Sequence, residues 1–135
     1  MSASTTESQD RSPARIVDRY LAAFYGGDFD AAHELVSDGL SFRGPFVQVD
    51  GADAFFASAQ PLRQIVKGHR TVRQWRDGDE VSTLYEMHLE TPVGKGSVLT
   101  SEWNTVRDGR VASATLVFDT AEFRKLMPQA GASSS

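Results

Sequence analysis

Cysteine is absent from the 135 residues, which excludes disulfides, thiolate catalysis and cysteine-ligated metals. No apolar run reaches 18 residues, so no membrane-spanning helix is expected. Basic residues are not in excess: 14 Lys and Arg stand against 18 Asp and Glu, a net charge of −4. With no basic stripe to neutralise phosphates, nucleic-acid binding is not expected. Arg70, Arg73 and Arg76 read as the solvated face of one strand. The three histidines, His33, His69 and His88, fall on different elements without metal-ligand spacing, so no metal site is implied. No Gly-rich phosphate loop occurs, Gly94-Lys95-Gly96 being hairpin punctuation, and no cofactor is called for. Met1–Asp10 lacks a basic patch followed by an apolar stretch. It does not read as a leader, and a cytoplasmic protein is expected.

The composition that remains is that of a soluble domain, 40% apolar and 24% charged. Its length suits one domain with a real core and a small internal pocket. Residues 1–12 and 128–135, rich in Ser and Ala, read as disordered tails around a single domain over 13–127. Ser12-Pro13 opens a helix whose apolar face is Ile16, Val17, Tyr20, Leu21 and Phe24, and Gly26-Gly27 ends it. Asp28 caps a second helix with Phe29, Ala32, Leu35 and Val36 on its inner face. Leu40–Val49, broken by Gly44-Pro45, reads as a short strand or bent hairpin. Ala52–Ile65 reads as a third helix, kinked or interrupted near Pro61 and anchored by Phe55, Phe56, Leu62 and Ile65.

Four strands follow, Val66–Arg76, Glu80–Thr91, Lys95–Arg107 and Val111–Phe118. Their turns are Asp77-Gly78-Asp79, Pro92-Val93-Gly94 and Asp108-Gly109. Asp119-Thr120 caps a last short helix. The expected architecture is α+β: a curved antiparallel sheet wrapped by three N-terminal helices into a cone around an internal cavity. A partly apolar convex face would suit a homodimer.

One residue stands out against this pattern. Glu102 lies in the middle of the strand Lys95–Arg107, both of whose faces carry apolar residues. A shielded carboxylate there must be paired, hydrogen-bonded or protonated.

The stretch Tyr20-Leu21-Ala22-Ala23-Phe24-Tyr25-Gly26-Gly27-Asp28-Phe29-Asp30, with the closing hairpin Ser101–Phe118, resembles the nuclear transport factor 2-like superfamily. That superfamily includes ketosteroid isomerases and small SnoaL-like polyketide cyclases. The resemblance runs from about Pro13 to Phe123, and its scaffold hosts isomerases, hydrolases, cyclases and non-catalytic binders. It implies that Tyr20 falls where the isomerases place an oxyanion-hole tyrosine, and Glu102 where they place a protonated aspartic acid. The isomerase base would fall at Gly44, which cannot abstract a proton.

Tyr20 reads either as a core tyrosine or as a donor into the cavity. Glu102 reads as a structural carboxylate paired with Arg43, a histidine or Tyr20, as a catalytic acid or base, or as a polar anchor. Tyr20, Glu102 and Arg43 are the candidate catalytic residues, with Arg43 orienting or charging the site. The candidate wall comprises Phe24, Phe42, Phe46, Phe55, Phe56, Tyr85, Met87, Val98, Thr100, Ala114, Leu116 and Phe118, suiting a flat apolar ligand. Val81, Thr83, Tyr85, Met87 and Leu89 are assigned to the cavity, which places Glu86 and His88 on the convex face. A slip of one residue would reverse this. His69 and Trp75 share a face if no bulge intervenes, and Trp75 with Trp103 would anchor a dimer. Three functions stay open: a binder with isomerase, cyclase or hydratase chemistry on a carbonyl compound, a carrier or sensor, and a protein-interaction module with a filled core.

Overall fold

The computed structural model describes residues 12–127. The expected tails therefore lie outside the described residues, except Ser12, which caps the first helix. That helix, α1 (Pro13–Tyr25), has Pro13 in its first turn, and the Ser12 side chain accepts from the Arg15 amide. It buries Ile16, Val17, Tyr20, Leu21, Phe24 and Tyr25 against strands of the sheet. Gly26 stops it with its amide on the Ala22 carbonyl, and a Cβ here would sit 2.8 Å from that oxygen. Asp28 then caps α2 (Phe29–Glu34) by accepting from the Ala31 amide. Val36, expected on this helix, instead opens β1 (Val36–Arg43). The chain turns at Gly44–Val47 into β2 (Gln48–Asp50) and enters α3 (Ala52–Arg63), which runs through Pro61 as one helix.

The meander β3 (Val66–Asp77), β4 (Glu80–Thr91), β5 (Gly94–Arg107) and β6 (Arg110–Phe118) follows. Asp108 and Gly109 both take positive φ (52° and 75°) in the last hairpin, as a two-residue turn matched to strand twist requires. A final helix, α4 (Thr120–Lys125), is capped by Asp119 and buries Phe123.

The sheet corrects the expected architecture in two ways. Among the described residues its six strands run β2-β1-β6-β5-β4-β3, so β2 and β3 are its edges and the sheet is open rather than closed into a cone. It is also mixed, since β1 pairs parallel with β6 while every other pair is antiparallel. The parallel pair joins strands separated by the whole meander, a non-local contact that no local pattern announces. The α+β class stands.

Directly paired residues share a face, so register decides what lies inside. On β4 the inward set is Val81, Thr83, Tyr85, Met87 and Leu89, all buried. Opposite them on β5 lie Asn104, Glu102, Thr100, Val98 and Gly96, the first four of them buried. Strand β3 does not keep its phase. The register shifts between Val66 and His69 and again between Thr71 and Arg73, where Val72 has no partner. Consequently His69 sits opposite Met87 and faces inward, while Trp75 sits opposite Ser82 and faces out. The bulge separates two residues that an even strand would place on one face. Among the described residues no helix is long and apolar enough to cross a membrane.

Candidate functional site

Between α1, α3, the β1–β2 hairpin, α4 and the inner face of the sheet lies a cavity of about 440 Å³. Phe24, Phe42, Phe46, Phe55, Phe118 and Phe123 supply six aromatic walls, and Met87, Leu62, Ile65, Leu116 and Met127 fill much of the rest. Each element presents these residues because its apolar face has nowhere else to go. Burying one such side chain contributes about 1.5–3 kcal/mol, and those that line a cavity recover only part of that. The described residues thus form a cavity rather than the filled core of the interaction-module alternative.

Among the described residues the wall contains one carboxylate. Glu102 is 2% exposed, and its position on β5 opposite Thr83 and Leu116 fixes it inward. Tyr85 donates to its Oε1 at 2.7 Å and the Asn104 amide donates to its Oε2 at 3.1 Å. Tyr85 Oη also lies 2.7 Å from Tyr25 Oη. Because the Tyr85 proton is committed to Glu102, Tyr25 is the donor in that second bond. The order is Tyr25 to Tyr85 to Glu102, with Asn104 also bonded to the Ser113 carbonyl at 3.3 Å. The Asn104 Oδ1 is buried with no partner among the described residues.

Among the described residues no cation pairs with Glu102. Burial raises its pKa, and the hydrogen bonds from Tyr85 and Asn104 pull the other way without cancelling that rise. Burial likewise pushes the phenols of Tyr20, Tyr25 and Tyr85 upward, and the Glu102 carboxylate adds to each. A raised acid in a dry wall is suited to donate as a neutral carboxylic acid.

Tyr20 lines the same cavity, and its hydroxyl makes no hydrogen bond among the described residues. Tyr20 and Glu102 are thus brought to one pocket. Arg43 is not. Its Nη1 donates to the Phe42 and Val49 carbonyls and its Nη2 to Asp50, which ties it into the exposed β1–β2 hairpin. Adjacent residues on a strand face opposite ways, and Phe42 takes the inward side.

Of the expected wall residues, Phe24, Phe42, Phe46, Phe55, Met87, Leu116 and Phe118 line the cavity. Phe56 does not: it packs between Phe29, Phe55 and His33. Val98, Thr100 and Ala114 are buried behind the wall, with the Thr100 hydroxyl on the Val98 carbonyl. Tyr85 is the second layer that holds Glu102. Residues that the sequence reading left out include Tyr25, Phe123, Met127, Ser58 and Pro61. Tyr25 had a signal, since it follows Leu21 by four residues on the same helical face.

The chain's sequence matches the model of the SnoaL-like domain over residues 17–114. The chain belongs to the SnoaL-like family. No curated protein matches this SnoaL-like chain. Among solved structures it is similar to a protein from Kribbella flavida, 26% identical over 93% of this chain and 99% of that one, with a TM-score of 0.76. A LEH-like epoxide hydrolase from M. tuberculosis is 24% identical over 84% and 88%, at a TM-score of 0.69. A protein from Jannaschia sp. CCS1, described as a SnoaL-like polyketide cyclase, is 16% identical over 84% and 90%, at 0.74. The last two likenesses show the fold alone.

Within this SnoaL-like frame Gly44 lines the cavity, and a Cβ there would stand 3.1 and 3.3 Å from the Phe42 ring. The Phe42 ring would have to give by a few tenths of an ångström to admit a side chain at this position. Among the described residues no three His, Asp or Glu are placed to hold a metal ion. Glu86 lies on the outer face between Arg70, whose Nε donates to it at 3.1 Å, and His88 at 3.7 Å.

Proposed function

We propose that the protein binds a small, largely apolar, carbonyl-containing molecule in this pocket, with Tyr20 and Glu102 holding its oxygen. The observation that carries the reading is one raised carboxyl group in an otherwise aromatic and aliphatic wall. A carbonyl placed there would accept from the Tyr20 hydroxyl and from neutral Glu102. Both donors would strengthen as negative charge developed on that oxygen, the requirement for enolisation or an aldol-type ring closure. Tyr25 and Tyr85 would hold Glu102 in place while it did so.

Turnover also needs a base, and the titratable groups in the wall are Glu102, Tyr20 and Tyr25. Glu102 would have to fill that role in its ionised form. The absence of a carboxylate at Gly44 favours a second reading, a carrier or sensor that holds the same ligand unchanged. Native mass spectrometry of the purified protein, followed by product analysis after incubation with flat aromatic ketones, separates the two. Conversion that is lost in Glu102→Gln supports catalysis, and retention without conversion supports carriage. Full turnover with an unchanged pH profile in Glu102→Gln would sink the catalytic role.

We also propose that two copies associate through the outer sheet face. Trp75 on β3, Leu99 and Trp103 on β5 and Val117 on β6 are each more than half exposed there. Such a patch on a soluble chain is suited to a partner surface. Concentration-dependent sedimentation of the wild-type protein tests this, and a monomer at all concentrations would refute it.

A further inference from the structure

Among the described residues, those lining the cavity include no lysine, arginine or histidine. Three arginines on elements that border it have partners of their own. Arg43 is bonded within the hairpin, and Arg63 donates to the Gly27 carbonyl and stands over Phe29. Arg124 lies over the ring of Phe46, a residue 46% exposed. His69 stands behind the wall, its ring 5.5 Å from Tyr25 and 5.7 Å from Tyr85, and burial favours its neutral form. The titratable groups that do face the cavity are Glu102, Tyr20 and Tyr25, all of which are uncharged when protonated.

Charge placed at the Glu102 end would therefore be poorly compensated. A ligand carboxylate would lose its water and meet no cation, only the Tyr20 hydroxyl and a Glu102 proton that it would have to share. An ammonium would have to ionise Glu102, and two charges would then be desolvated to make one pair. An uncharged oxygen needs neither. We infer that the inner end of the pocket admits ligands only in their uncharged form. Ketones, aldehydes, ethers and undissociated weak acids enter, and the corresponding carboxylates and ammonium ions are turned away. This rests on the reading of the cavity as a small-molecule site.

The test uses matched triplets, a methyl ketone, a carboxylic acid and a primary amine, on benzene, naphthalene and anthracene bodies. Retention by the wild-type protein is scored by native mass spectrometry, and retained members are titrated by calorimetry from pH 5 to 8. At pH 7 the ketone is expected to bind at least about tenfold more tightly than either ion of its triplet. The apparent affinity of the acid should fall about tenfold for each pH unit above its own pKa, because only the neutral fraction binds. A carboxylate that binds as well as its ketone with no pH dependence overturns the inference and leaves the binding reading intact. So does an ammonium that binds most tightly, which would make Glu102 a cation site. Retention of no member of any triplet would overturn the small-molecule reading and this inference with it.

Discussion

The two faces of the β3–β6 sheet carry, in a sense, each other's residues. The inner face buries Thr83, Thr100, Glu102 and Asn104, while the outer face leaves Trp75, Leu99, Trp103 and Val117 in solvent. Inside, most polar atoms have partners: Glu102 has Tyr85 and Asn104, Thr100 has a carbonyl, and Gln74 reaches both Thr83 and Asp18. Outside, the large apolar groups have only partial ones, such as the indole N–H of Trp103 on Glu80 and Arg73 over Trp75. The lesson is that side-chain character and side-chain placement separate where a surface has a use. A polar group inside needs a ligand or a network, and an apolar group outside needs a partner.

Truncating an aromatic on each face gives the sharpest contrast. Tyr85→Ala removes a fully buried ring and should cost about 3–5 kcal/mol in urea unfolding. A loss under about 1 kcal/mol would mean that the inner face is not the core it looks to be. Tyr85→Phe keeps the ring and removes both bonds of its hydroxyl, with an expected loss of about 1–3 kcal/mol. It should also make Glu102 less acidic still, since a bond that lowered its pKa is gone, readable from the carboxyl stretch in infrared titration.

The third prediction concerns pH. The folded-state pKa of Glu102 lies above its ordinary 4.5, so the folded chain holds that proton longer than the unfolded one. The Glu102 contribution is then most favourable below pH 4.5 and declines as pH rises through the raised value. The difference in unfolding free energy between Glu102→Gln and wild type should accordingly move in favour of the variant over that window. A difference that stays flat with pH would contradict a raised acid on the inner face. The smallest effect belongs to the outer face. Trp103→Glu should change monomer stability by no more than about 0.5 kcal/mol, yet should abolish association in sedimentation velocity. An unaltered dimer would place the partner surface elsewhere.

Much of this was legible in the sequence, element by element. Strict alternation on β4 assigned its inward set, because a strand buried on one side writes that burial with a period of two. Ser12-Pro13, Asp28 and Asp119 announced helix starts through their own chemistry. The parallel pairing of β1 with β6 was not legible, nor was the open edge at β3, because each depends on residues far apart in the chain. In the candidate site, Tyr20 and Glu102 were readable as a pair that shares a cavity, whereas Arg43 was misplaced by one residue of strand parity. Tyr85 was visible as inward-facing, but its role behind the wall required the third dimension. The phase of β3 was beyond reach, since nothing in His69–Trp75 marks Val72 as the unpaired residue.

That unpaired residue has a consequence of its own. With Val72 extra, the first half of β3 backs the tyrosine chain through His69, and the second half displays Trp75 to solvent. One strand therefore serves the inner face with one half and the outer face with the other. Removing Val72 would straighten the strand at that point and still leave His69 opposite Met87 and Trp75 opposite Ser82, because the ladder on either side already pairs residue for residue.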